Sequence, residues 1–263
     1  MGMLTQTSWT DLEPGCGVLV PIGSTEQHGP HLGLGTDTAI AVAVASRLAE
    51  SVSGVIRVAP AVAIGASGEH QGFPGLMSIG NEALELMLVE LIRSMSSWAG
   101  EITFVNAHGG NLAALVAAVT RMQGEGHRVQ WLPCATEEFD LHAGHVETSI
   151  MLHLDPQSVD MGAAEVGDTR PLAEILPTLM AKGVIGVSAN GVLGDPTTAT
   201  ADEGERLLDL VVEDALDRLT SASLDERGCL VRPSVLTASA APALPAAPAG
   251  PGAPGAPVGR SDQ

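Results

Sequence analysis

The chain has 263 residues, enough for one α/β domain with a sizeable core, and a formal net charge of −19. Its 12 Lys and Arg against 31 Asp and Glu lack the cation density that phosphate neutralisation needs, and 2% aromatics with no Tyr provide no stacking platform, so nucleic acid is excluded as a partner. Mean hydropathy is +0.24, yet no apolar run approaches the roughly 18 residues of a membrane span, the N-terminus lacks a basic, apolar secretion signal, and three scattered Cys suit reduced thiols, so a cytoplasmic protein with no membrane partner is expected.

The first predicted element is a buried strand over Gly17–Ile22, and just past it runs Glu26-Gln27-His28-Gly29-Pro30-His31 to Asp37. A Glu-x-His pair in extended backbone throws both side chains to one side, because side-chain direction alternates with a period of two. Asp37, farther along a Gly- and Pro-containing loop, is able to swing back toward them. It also opens the next element, a helix over Asp37–Ser51 with Ile40, Val42, Val44, Ala45 and Leu48 on its apolar face. An N-cap is the plain alternative for Asp37, a role worth roughly 1 kcal/mol.

A strand over Val55–Val62 leads into a glycine-rich loop whose Ser67, Glu69, His70 and Ser78 are candidates for orienting a substrate. A helix over Asn81–Ser97 and a strand over Ile102–Asn106 follow, and the strand ends in Asn106-Ala107-His108-Gly109-Gly110-Asn111. Next come a helix over Leu112–Gly124 and a strand over Val129–Pro133. In the segment Asp140 to Ser149, His142 reads as a proton donor in a loop, and Glu147 belongs to the first turn of a helix starting after Gly144. His145 and His153 read as surface residues. Between Leu154 and Thr200 repeated Pro and Gly leave only short pieces, suited to an excursion over an active site or subunit contact. A helix over Ala201–Thr220 follows. From Pro233 the Ala/Pro/Gly-rich sequence has no means of offsetting its chain entropy, so residues 1–232 form the expected domain and 233–263 a disordered tail.

Alternating strands and helices predict a mostly parallel sheet flanked by helices, with chemistry at the carboxyl ends of the strands. Glu26, His28, Asp37 and His108 fall at two such ends. Burying several carboxylates and imidazoles together is costly unless a cation satisfies them, and this mixed N/O set suits a divalent ion used for hydrolysis. No glycine segment has the spacing of a phosphate or dinucleotide loop, and no serine sits in a nucleophile elbow.

From about Val18 to Thr220 the chain resembles the creatininase family of amidohydrolases. The resemblance lies in Gly23-Ser24-Thr25-Glu26-Gln27-His28-Gly29-Pro30-His31-Leu32, in the Asn106 to Asn111 turn, and in His142-Ala143-Gly144 to Glu147-Thr148-Ser149. It implies a three-layer α/β/α fold, a homo-oligomer, and two divalent ions per subunit, Zn, Fe or Mn. Glu26, His28, Asp37 and His108 would be ligands, with Asp37 bridging. Creatininase proper carries an aromatic residue and a glutamate directly after the turn's His, where Gly109 and Gly110 stand here, so Glu147 is expected to replace the missing ligand and the pocket to be roomier. Gly33 and Leu76 also depart from the family's usual proline and threonine. The segments Gly65 to Gly75 and Asn190 to Pro196 resemble the mycofactocin branch of the family, which implies hydrolysis of a modified precursor peptide near its C-terminus, with His142 protonating the leaving amine and Glu147 beside it. Hydrolysis of creatinine or a formamide is the alternative, and a non-catalytic metal-bound scaffold a remote one.

Overall fold

The structure, a computed structural model, describes residues 2–135 and 140–232, so the tail assigned from residue 233 onward lies outside the described residues. Five strands form one sheet: β1 (Gly2–Met3), β2 (Gly17–Ile22), β3 (Ile56–Val58), β4 (Ile102–Asn106) and β5 (Val129–Pro133). Every pair is parallel, in the order β1-β3-β2-β4-β5. The helices are α1 (Thr36–Ser51), α2 (Gly80–Met95), α3 (Leu112–Gly124), α4 (His145–Leu154), α5 (Leu172–Lys182) and α6 (Ala201–Ser221).

Strand side chains sort the core into two layers. Val18, Val20, Ile22, Ile102, Phe104 and Trp131 point to one face, where they meet Leu84, Leu88, Ile92 of α2 and Leu115, Val119 of α3. Leu19, Val58, Val105 and Leu132 point to the other, against α1, α4 and α6. Alternation along strands buried on both sides produces this division, and the result is the expected three-layer α/β/α arrangement. In the sheet Ile22 lies beside Asn106 and Asn106 beside Pro133, so the loops leaving β2 and β4 emerge side by side.

Three elements differ from expectation. The strand expected over Val55–Val62 shortens to Ile56–Val58, because Pro60 has no N–H to donate, and Val62 rejoins only through a bridge to Ile22. Helix α5 forms despite Pro177 inside it; the loss of one backbone bond is offset by Ile175, buried against Val184 and Leu193. Gly35, not Asp37, is the N-cap of α1, which places Asp37 inside the first turn and sets aside the plain capping role.

The last elements among the described residues are a hairpin, β6 (Ser223–Leu224) and β7 (Leu230–Val231). Arg218 fastens it, donating to Leu230 O at 3.0 Å while pairing with buried Asp214 at 2.6 Å. Cys16, Cys134 and Cys229 are free and buried.

Candidate metal centre

The loop after β2 is pressed against the start of α1. A side chain at Gly23 would collide with the backbone of Thr38, so the bare glycine lets the two segments touch. The loop then turns back on itself, Glu26 N–H donating to Leu34 O at 3.0 Å, and returns Asp37 to the strand end. There Asp37 Oδ1 lies 3.0 Å from His28 Nε2, and Oδ2 accepts from Ser24 Oγ at 2.7 Å and lies 3.2 Å from His108 Nδ1. His28 Nδ1 donates to Glu26 O at 3.2 Å, which fixes the ring with its other nitrogen facing Asp37, the kind of outer hydrogen bond that orients an imidazole able to hold a metal.

From the neighbouring strand, His108 reaches the same point, its Nε2 3.2 Å from Glu26 Oε2. The loops are tied behind it by Asn111, which is fully buried and donates to Gly23 O at 2.9 Å and Asn106 Oδ1 at 3.2 Å while accepting Ala66 N–H at 2.9 Å. Asn106 in turn donates to His108 O at 2.8 Å.

His70 lies deeper than expected of a residue at the rim. Its Nε2 is 3.0 Å from Glu26 Oε1 and its Nδ1 accepts from Gln27 Nε2 at 2.9 Å, so the structure places it with the expected ligands. Gln27 is held in that orientation by Gly29 N–H, which donates to its Oε1 at 2.8 Å. His142 donates from Nε2 to Gln27 O at 2.8 Å, and its Nδ1 faces Glu26 Oε1 at 3.9 Å. Its ring lies 4.4 Å from that of His28 and 4.6 Å from that of His70. Glu147 sits in the first turn of α4, as expected, where Oε2 accepts Ala143 N–H at 2.6 Å; Ala143 adopts a left-handed φ of 52° in making that bond. Asp140 takes the N–H groups of His145 and Val146 at the start of the same helix.

Three sets of donor atoms converge to within 4.8 Å: Glu26, His28 and Asp37; Glu26, His70 and His142; and His28, His142 and Glu147. His108 stands against the first of these through both of its nitrogens. The fit to a cation rests on Glu26. Its carboxylate is wholly buried, and although His70 and His108 stand near both oxygens, neither oxygen receives a hydrogen bond of proper angle. Such a group is costly to bury unless something positive sits in front of it.

Electrostatics agree. Burial raises the Glu26 pKa, but the charges of His108 and His70 prevail and hold it at about 2. Burial lowers His28 and His108, yet Asp37 and Glu26 outweigh it and lift both to about 10. Asp37, opposed by burial, is carried well below its usual range by these two imidazoles. Burial pushes Glu147 up to about 7, and burial with the charges of His28 and His70 pushes His142 well below its ordinary value. His28 and His108 are thereby both held toward their protonated forms, facing Asp37 and Glu26.

The remaining candidates divide. Ser67 is buried with Oγ 3.4 Å from His108 Nε2, whereas Ser78 is exposed and accepts Ser67 N–H at 2.9 Å, fastening the loop. The expected extra room does not exist over Gly110, where the Glu69 carboxylate occupies the space a side chain would need. His145 bonds Thr198 at 3.1 Å and His153 bonds Arg47 at 3.3 Å, both away from the centre. Sequence reasoning missed Gln27, Asn111 and His31. His31 shares a 2.8 Å hydrogen bond with Thr148 Oγ1, joining the ligand loop to α4. The signal was present, since all three lie inside the quoted motifs, but an amide or a third His carries no mark of its role.

Residues 4–219 match the family described as Creatininase: Creatinine amidohydrolase. The chain is 52% identical over 217 residues to the "Mycofactocin precursor peptide peptidase" of Mycolicibacterium smegmatis, covering 81% of this chain and 88% of that protein. It is 47% identical over 227 residues to the protein of the same name from Mycobacterium tuberculosis, covering 83% and 90%. A solved structure described as "Creatininase Mn" superposes with a TM-score of 0.70 at 23% identity, over 84% of this chain and 98% of that one, which shows the shared fold.

Proposed function

The chain belongs to the creatininase family, and from that premise we propose that it is a metal-dependent hydrolase of peptide bonds that cleaves the modified mycofactocin precursor peptide near its C-terminus. The observation that carries the metal is the buried Glu26 carboxylate, with imidazoles in front of both oxygens and no hydrogen bond on either. Relatives at 47–52% identity that carry the peptidase name support the peptide over creatinine or a formamide. Glu26, His28, Asp37 and His108 would hold two ions, Asp37 being a ligand to both, and Glu147 is the first candidate for the remaining carboxylate. Zn, Fe and Mn all accept this N/O set, and the described neighbour's Mn supports one of them. Bound there, such ions polarise a carbonyl and lower the pKa of a water from about 15.7 to about 7.

The chain's own part in the reaction falls to His142. Its Nε2 proton is committed to the Gln27 carbonyl, so Nδ1 is the ring position open to a proton, and the depressed pKa keeps it open at neutral pH. Nδ1 takes the proton of the attacking water and passes it to the leaving amine as the C–N bond breaks, a role worth roughly 10²–10⁴ in rate. Gln27 positions both rings, its side-chain amide donating to His70 Nδ1 at 2.9 Å and to Gly191 O at 3.1 Å while its backbone carbonyl accepts from His142 Nε2. A cytoplasmic location goes with this reading, and among the described residues no helix is long and apolar enough to cross a membrane. Exposed Leu34, Met77, Ile79 and Ile185 support self-association as a homo-oligomer.

The test offers metal-loaded protein three substrates, the modified precursor peptide, creatinine and formamide, and follows the products by mass spectrometry. Release of a small C-terminal fragment from the peptide is expected. Turnover of creatinine or formamide with the peptide untouched assigns the alternative, and no turnover of any of them leaves the scaffold.

A further inference from the structure

Glu69 lies next to His70 in a single 3-10 turn, Gly68–His70, and the two side chains part company. His70 enters the buried cluster. The Glu69 carboxylate stays 23% exposed and reaches over the rim to within 3.5 Å of His108 Nε2, the nitrogen that also faces Glu26 Oε2 at 3.2 Å. Its charge is one of those that raise the His108 pKa.

The position of Gly110 explains how it gets there. A Cβ on Gly110 would lie 2.5 Å from His108 Nε2 and would collide with Glu69 Oε1 and with Ala66 O. Two points in the chain, 69 and 110, therefore address one volume beside His108, and only one side chain fits it. Here position 110 is bare and position 69 supplies a carboxylate. The turn is held from behind as well: a side chain at Gly183, at the end of α5, would collide with Glu69 O, so the 154–200 excursion seats the turn that carries Glu69. Glu26 Oε2, which faces the same His108 Nε2 at 3.2 Å and receives no hydrogen bond, is the separate sign that a cation belongs there.

We infer that Glu69 is a metal-ligating residue of the centre, providing from the loop after β3 the carboxylate that position 110 cannot. The inference rests on the metal-dependent reading above and extends it. It moves that duty from Glu147, which lies across the cluster beside His28 and His142. Because Glu69 is the partly exposed carboxylate of the set, it is also the one free to change its hold on the ion as a peptide enters.

The experiment is titration of the full-length, metal-free protein with Mn²⁺ alone and with Zn²⁺ alone, by calorimetry and by metal per subunit after dialysis. The wild-type chain is expected to take two ions. Glu69→Ala should keep one at wild-type affinity and bind the other about tenfold or more weakly, with the metal-free melting temperature lowered by no more than about 4 °C, the share of one partly exposed ion pair with His108. Gly110→Ala, which puts a methyl where the Glu69 carboxylate sits, should weaken the same ion. Glu69→Ala binding both ions as wild type overturns the inference, and so does a metal-free Glu69→Ala chain whose melting temperature falls by clearly more than that one ion pair accounts for, since that marks a structural pin. A wild-type chain that takes no ion overturns the metal-dependent reading itself.

Discussion

Asn111 offers the sharpest check on how the centre is assembled. Replacing it with Ala removes three hydrogen bonds at once, from Ala66 N–H at 2.9 Å, to Gly23 O at 2.9 Å and to Asn106 Oδ1 at 3.2 Å. Each such bond contributes about 0.5–1.5 kcal/mol net, and each buried group left without a partner costs about 1–3 kcal/mol. Asn111 is fully buried, so water does not easily replace the amide. The loss for Asn111→Ala is therefore about 3–6 kcal/mol, a large share of the roughly 5–15 kcal/mol that holds a domain together. At about 2–4 °C per kcal/mol for a domain of roughly 150–250 residues, the melting temperature should drop by ~6–24 °C. Urea unfolding of the metal-free variant beside wild type measures it, since a shifted midpoint at constant slope is a pure stability change. A loss below about 1 kcal/mol would show that the loops after β2, β3 and β4 hold their places independently, and the tie described here would be wrong.

Asp37→Ala should lose most bound metal and all turnover together, as read by metal analysis and peptide cleavage, and a loaded, active variant would end the bridging role. His142→Ala should keep both ions and lose about two to four orders of magnitude in rate. Glu147→Gln should keep both ions too, since Glu69 takes the carboxylate duty, and an ion lost from that variant would return the duty to Glu147. In the metal-free protein His28 and His108 titrate near 10, above their unfolded values near 6.5, so their stabilisation is complete below about pH 6.5 and fades as pH rises through about 10. The metal-free melting temperature should fall across that window, and loading metal at about pH 8 should expel about two protons, measured by calorimetry in buffers of different ionisation heat. Proton release near zero refutes the paired-imidazolium picture.

What the sequence reveals and conceals here follows from the range of the forces involved. Gly17–Ile22, Ile102–Asn106 and Val129–Pro133 are legible because an apolar run between turn residues is a local signal, and the strands have those very bounds. The ligand loop is legible for a chemical reason, since Glu26, His28 and Asp37 are too costly to bury without a purpose. Helix α5 is hidden because Pro177 is locally a helix breaker, and what rescues it is Ile175 meeting Val184 and Leu193 from other segments. His70 reads as a loop residue because nothing near it in the chain announces Glu26, which is 44 positions away and 3.0 Å distant in space. Gln27, with an amide that reaches His70, His142 and Gly191, has no local signature at all. The exchange between Glu69 and Gly110 is likewise visible only once the two loops are seen to meet.

The central claim, that this chain is a metal-dependent peptide hydrolase, is tested most directly by restoring Mn²⁺ or Zn²⁺ stepwise to the chelated, full-length protein and recording cleavage of the modified precursor peptide against ions bound per subunit. The account predicts no cleavage in the metal-free protein and a rate that rises as the second ion fills. Cleavage at full rate by protein shown to hold no metal would contradict it.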